Sequence, residues 1–151
     1  MKRIDSVTLT EEVTQVNIDN LPADTCFFAD LFIRLGQQQI NVDMICRPVT
    51  HSQTTQLSFT INDHELDQTV AILTELKKQL PQLQFSFSAY NCKIVASSES
   101  MRQTPGIAGA VFDAICKADA EILLVSTGET EISILVSEAD CEKALQAIKN
   151  I

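Results

Sequence analysis

The chain has 151 residues, of which 45% are hydrophobic and 21% charged, enough apolar content to bury a core and too little charge for a disordered chain. A formal net charge of −9, with an isoelectric point near 4.5, repels phosphate backbones and excludes nucleic acid as the expected partner. No apolar run approaches a bilayer span and the N-terminus lacks the apolar centre of a signal peptide, so the expectation is a soluble, cytoplasmic protein without a membrane partner.

Taken in chain order, residues 3–9 alternate loosely through Ile4, Val7 and Leu9 and read as a short strand, with a second strand candidate over Val13–Ile18. The stretch Asn20-Leu21-Pro22-Ala23-Asp24-Thr25 reads as a loop, with Asp24 or Thr25 placed to cap a helix. That helix carries Phe28, Leu31, Phe32 and Leu35 on one stripe, and Gly36 is its expected stop. Two strands follow, at Ile40–Ile45 and Gln56–Ile61, separated by a polar loop at 48–55. A second helix starts near Asn62-Asp63, places Leu66, Val70, Leu73 and Leu76 on one face, sets Lys77 and Lys78 in its last turn and stops at Pro81. Leu83, Phe85 and Phe87 alternate as a closing strand.

The second half repeats this order. Lys93–Ala96 is a strand, Thr104-Pro105-Gly106 reads as a helix start with threonine as the cap, and strands follow at Ile122–Ser126 and Glu131–Val136. A last helix runs from about Glu138 through Cys141, Ala144, Leu145 and Ile148. Phe32 and Phe112 stand 80 positions apart, as do Ile40 and Ala120, while Ser58 and Ser133 stand 75 apart. The plan is therefore written twice, with hairpin loops that differ by five residues. Each copy has the strand–helix–strand–strand–helix–strand order of a ferredoxin-like unit, giving an α+β fold of two tandem units with antiparallel sheets and helices on one face. The expected domains are 11–88 and 89–151. The second copy lacks a closing strand, and the surplus strand at 3–9 is expected to cross over and complete its sheet.

Neither cysteines nor histidines point to catalysis. Cys26, Cys46, Cys92, Cys116 and Cys141 lie far apart without a CxxC pair and read as reduced, buried thiols; His51 and His64 share no ligand spacing with them. No metal and no cofactor are expected.

The motifs bring a family into view. Met101-Arg102-Gln103-Thr104-Pro105-Gly106-Ile107-Ala108 resembles the M-[RK]-x-x-P-G-[VI]-A loop of ACT domains, and Ser126–Ser133 resembles their S-T-S-E-x-[KR]-I-S stretch. In the first half, Ile40–Ile45 and Thr54–Thr60 resemble I-N-[IV]-D-M-[IV] and T-T-D-[IL]-[ST]-F-T. Both halves resemble ACT domains, and the pair resembles the regulatory region of aspartate kinase (aspartokinase). There are departures: Asn20–Thr25 replaces the usual D-[RK]-P-G loop, Ser100 and Gly128 replace a glycine and a serine, and Arg47 stands where glutamine is usual. The K-F-G-G-[ST] phosphate-binding stretch of the kinase half is absent.

The resemblance implies an allosteric module that binds a free amino acid, lysine or threonine, in feedback control of aspartate-family (lysine) biosynthesis. It also implies a homodimer paired through the ACT units, with a catalytic aspartate kinase chain as a further partner. A zwitterion needs donors for its carboxylate, which the N–H groups of a helix N-terminus supply, and an acceptor for its ammonium. The expected effector contacts are Asn20, Leu21, Pro22, Ala23, Asp24, Thr25 and Arg47, then Asn41, Val42 and Asp43, with Asp43 as ammonium acceptor. In the second half they are Ser100, Met101, Thr104, Gly106, Glu121 and Ile122. Asp43 is alternatively a solvated partner of Arg47, and the residues at 104–106 are alternatively a plain helix cap. The rival reading of the whole chain is an ACT-type dimerisation module that no longer binds a ligand; a small enzyme using His51 or His64 as a base is a distant third.

Overall fold

The computed structural model describes residues 3–151. Strand β1 (Ser6–Pro22) leads to helix α1 (Thr25–Gln37), the short β2 (Ile45–Cys46) and β3 (Thr54–Asn62). Helix α2 (Leu66–Gln79) and β4 (Gln84–Ser97) follow, then α3 (Ile107–Lys117), β5 (Leu124–Thr127), β6 (Glu131–Ser137) and α4 (Glu138–Lys149). One-turn 3-10 segments stand before α2, at Asp63–Glu65, and before α3, at Glu99–Arg102.

The chain forms two compact units. The distal unit joins the N-terminal arm up to Glu12 with Tyr90–Ile151, and the proximal unit is Val13–Ala89. The six strands are hydrogen-bonded in the order β2-β3-β1-β4-β6-β5, one antiparallel sheet where separate sheets were expected. β1 and β4 each contribute residues to both units. The two strands expected at 3–9 and 13–18 are one continuous strand, as are those at 83–87 and 93–96. Punctuation at each crossing, not a loop, disguised the continuity: Glu12 and Tyr90 take left-handed backbone angles, φ 58° and 59°.

Each core follows the residue periods. In the proximal unit Val16 and Ile18 of β1 and Leu57, Phe59 and Ile61 of β3 recur at every second position and face one side. Leu31 and Leu35 of α1 and Leu73 and Leu76 of α2, spaced three or four apart, close over them. In the distal unit Cys92, Ile94 and Ala96 meet Ile132, Ile134 and Val136 beneath Val111, Ile115, Ala144 and Ile148. Ile4, 1% exposed, belongs to this distal core. Asp5 fastens the arm there, its N–H donating to Ser97 O at 2.8 Å and its Oδ2 accepting the Glu99 N–H at 2.8 Å.

Gly36 lies inside α1, which stops instead through Gln39 at φ 60°, with the Ile40 N–H returning to Leu35 O at 3.0 Å. α3 ends the same way, with Asp119 at φ 55° and Ala120 N–H on Ile115 O at 3.2 Å. The left-handed position favours glycine, because a Cβ crowds the neighbouring carbonyl there. Gln39→Gly is therefore expected to raise stability by about 0.5–1 kcal/mol, measured as a shift of the urea midpoint at unchanged slope.

Candidate functional site

In the proximal unit the expected loop is shorter than its sequence implies. β1 extends to Pro22, so Asn20 and Leu21 are strand residues, and the turn proper is Ala23-Asp24. Asn20, at φ 60°, marks a register shift between Ile18 and Leu21, and its side-chain amide donates to Gln82 O at 3.1 Å. Asp24 caps α1, its carboxylate accepting the Cys26 N–H at 2.9 Å. This leaves the Thr25 and Phe27 N–H groups as helix-start donors without a carbonyl of their own helix.

Arg47 closes over this turn. Its Nη2 donates to Ala23 O at 2.7 Å and its guanidinium carbon lies 5.5 Å from the centre of the Phe28 ring. The Ala23 N–H in turn donates to Gln53 O at 2.9 Å, so the β2–β3 hairpin grips the turn twice. Beside it, Asn20 and Asp19 line a hollow of about 340 Å³ together with Val49, Thr50 and Gln56.

Asn41, Val42 and Asp43 lie elsewhere. The Asp43 N–H donates to Thr60 O at 3.1 Å, which makes 43–47 an extended edge. Four residues of such chain span about 13 Å, so Asp43 and Arg47 are at different ends of the segment. Arg47 is held by Ala23 O. The expected first-half contacts divide into one group at the start of α1 (Ala23, Asp24, Thr25, Arg47) and another beyond its end (Asn41, Val42, Asp43).

The distal unit reverses the latch. Arg102, in the loop, pairs with Glu99 at 3.3 Å and with Glu129 of the β5–β6 hairpin. Thr104 does not cap α3. Its N–H donates to Ser100 O at 2.8 Å and the cap is Gly106, whose left-handed φ of 95° suits glycine and whose lack of a side chain leaves no oxygen to accept from the helix start. The first N–H groups of α3 are accordingly an open, positively polarised end. Ser100 Oγ lies 2.7 Å from Ser98 Oγ, and Met101 packs on the distal core. Glu121 and Ile122 stand after the other end of α3, where the Glu121 N–H donates to Asp140 Oδ2 at 2.9 Å. That bond, with Lys143, holds the Asp140 carboxyl below the ordinary carboxylate range.

The thiols correct a further expectation: Cys26 and Cys116 are exposed and Cys46 is half-buried, while Cys92 and Cys141 are buried. Burial, then the hydrogen bond with Cys141, then Glu11 and Glu138 push the Cys92 thiol up to about 12, which keeps it protonated and unreactive at neutral pH. Among the described residues no group of three or more histidine, cysteine or carboxylate side chains is arranged to hold a metal, and no helix is long and apolar enough to cross a membrane. Reading the sequence missed the two guanidinium latches and the Asp140–Lys143 pair. Only the last, spaced three apart on a helix, carried a local signal.

Two ferredoxin-like units, each with a hairpin tied to the turn before its first helix, have the fold of tandem ACT domains. Residues 94–150 match the model of the ACT domain family. Over 142 residues, 94% of the chain, it is 30% identical to an aspartokinase of Bacillus sp. strain MGA3, and it covers 34% of that protein. The regulatory subunit of aspartate kinase from Thermus thermophilus, in a ligand-free form, superposes with a TM-score of 0.87 at 22% identity, covering 99% of this chain and 98% of that one. Escherichia coli aspartokinase III, solved in complex with lysine and aspartate, gives a TM-score of 0.73 at 18% identity over 98% of this chain and 33% of its own. The chain spans about a third of the length of the curated relatives it matches. Its similarity is thus to a stretch about a third of an aspartokinase's length, with the ACT domain match over residues 94–150.

Proposed function

We propose that the chain is an allosteric, amino-acid-binding module of aspartate kinase, taking lysine or threonine as the effector of feedback control and working as a homodimer beside a catalytic kinase chain. The observation that carries this reading is the similarity to aspartokinases over 94% of the chain at about a third of their length, the share a regulatory region would have. The relative solved with lysine supports lysine as first choice.

The chemistry is compatible. An effector carboxylate has donors at the starts of α1 and α3, and Arg47 offers a guanidinium at the α1 turn. Binding there would exchange the Arg47–Ala23 bond for a charge-assisted one, worth roughly 1.5–3 kcal/mol, and would remove one of the two bonds by which the hairpin grips the turn. A ligand shifts such an equilibrium only as far as it prefers one arrangement over the other. Dimerisation has edges available: Ile45 of β2 is 44% exposed and Val125 of β5 38% exposed, each on the outermost strand of its unit.

One observation favours the rival reading, a dimerisation module without a ligand: Asp24 already sets a carboxylate on the donors of α1. Thermal unfolding in the presence of lysine, threonine, methionine and other amino acids separates the two. The sensor reading expects about 2.7 kcal/mol of stabilisation at 100 times the dissociation constant of one of them. A flat response to all, in a chain that sediments as a dimer, would leave the rival reading standing.

A further inference from the structure

We propose that Glu65, at the start of α2, anchors a second site in the proximal unit, one that takes the primary ammonium group of an unbranched aliphatic amine. The case rests on the internal repeat and not on the effector reading above. The two units keep one register at the corner between their helices, 80 positions apart before the hairpin and 75 after it. Gln39 and Asp119 take the same left-handed angle after α1 and α3, 60° and 55°. The Asp43 N–H donates to Thr60 O at 3.1 Å as the Leu123 N–H donates to Leu135 O at 2.8 Å. Thr69 and Leu73 of α2 are fully buried, as are Ala144 and Ile148 of α4. On this register Glu65 is the counterpart of Asp140, Gln68 of Lys143 and Asn41 of Glu121.

The distal corner is complete. Asp140 Oδ2 accepts the Glu121 N–H at 2.9 Å and its Oδ1 holds the Lys143 ammonium at 2.9 Å, while that ammonium also donates to Asp119 O. A primary ammonium therefore sits between a carboxylate and a carbonyl at the negative end of α3. The proximal corner keeps the acceptor and lacks the donor. Glu65 is 8% exposed, and its Oε2 is buried with no hydrogen-bond partner. The His64 ring nitrogen Nε2 stands 3.9 Å from Oε1, beyond hydrogen-bonding range. The Thr14 hydroxyl is spent on Asp63 at 2.6 Å, and the residue in the place of Lys143 is the neutral Gln68.

A buried carboxylate oxygen without a donor is costly, and an external ammonium removes the deficit as Lys143 does internally. Gln68 also lines a groove of about 420 Å³ with Arg34, Gln37, Gln38, Ala71, Ile72 and Glu75, where Ala71 and Ile72 give the ligand's aliphatic tail a place to lie. The ligand class follows from the internal precedent, a lysine side chain. A guanidinium or a quaternary ammonium does not match, since a compact group with three donors has to fit between a carboxylate and a carbonyl.

The test is thermal unfolding of the full chain in n-butylammonium chloride against sodium chloride at equal ionic strength. The wild type is expected to show a saturable rise in melting temperature that Glu65→Gln loses. Gln68→Lys is expected to melt higher than the wild type without amine and to lose the response, because the new side chain fills the site from within. Arg47→Met, at the other end of α1, should keep it. L-lysine and L-norleucine identify the source: a response to lysine alone assigns the site to a side-chain ammonium, an equal response to both assigns it to an α-ammonium, and either upholds it if Glu65→Gln removes it. A Gln68→Lys protein that melts at or below the wild type, or a Glu65→Gln protein that responds to butylammonium like the wild type, overturns the proposal.

Discussion

Phe59→Ala is expected to cost about 3–5 kcal/mol of stability, a large fraction of the roughly 5–15 kcal/mol that holds a domain of this size together. Phe59 is fully buried on β3, between the strand partners of β1 and the helices of the proximal unit. Its ring meets Phe32 edge-on at 5.7 Å, and Phe32 meets Phe28 at 4.8 Å. Removing it takes away the transfer energy of the largest fully buried side chain, leaves a cavity and loses a ring contact worth about 0.5–1.5 kcal/mol. The consequence reaches the candidate site, since Phe28 is the ring beneath Arg47. Urea denaturation measures the loss. A change below about 1 kcal/mol would mean that this core does not pack as described.

Ile4→Ala is expected to cost about 2–5 kcal/mol, and to take it from the distal unit although Ile4 stands at the opposite end of the chain. Ile4 is 1% exposed among Ile94, Ile132 and Ile148, and the following residue is fastened to Ser97 and Glu99. Hydrogen exchange resolves where the loss falls. Amides of β6 and the second part of β4 should lose protection, while those of β3 should keep theirs. Unchanged protection across β6 would show that the arm does not belong to that core.

The repeat made most of the fold legible. Leu31 and Leu35 at helical spacing, Leu57, Phe59 and Ile61 at strand spacing, and their counterparts near 80 and 75 positions on identify the same elements twice, since burial on one face writes its period into the chain. What stayed hidden is non-local or conformational. Gly36 reads as a helix stop, yet a helix stops where a residue turns left-handed, and Gln39 does so because the chain beyond it must reach Ile40's place in the core. Thr104 reads as a cap, but Gly106 bends first and α3 begins after it. The latches joining Arg47 to Ala23 and Arg102 to Glu129 bridge 24 and 27 positions, and spacing arguments do not reach so far. Glu65 looked like one more acidic residue until its counterpart Asp140 showed what such a position holds when it is satisfied.

The regulatory function proposed for this chain requires that the proximal turn recognise a free amino acid. Calorimetric titration of lysine and of threonine into the intact chain, and into Arg47→Met, measures that directly. Saturable heat is expected with at least one of them, with affinity weakened at least tenfold, about 1.4 kcal/mol, by the substitution. No heat with either amino acid, or equal affinity in Arg47→Met, would rule out recognition at this turn.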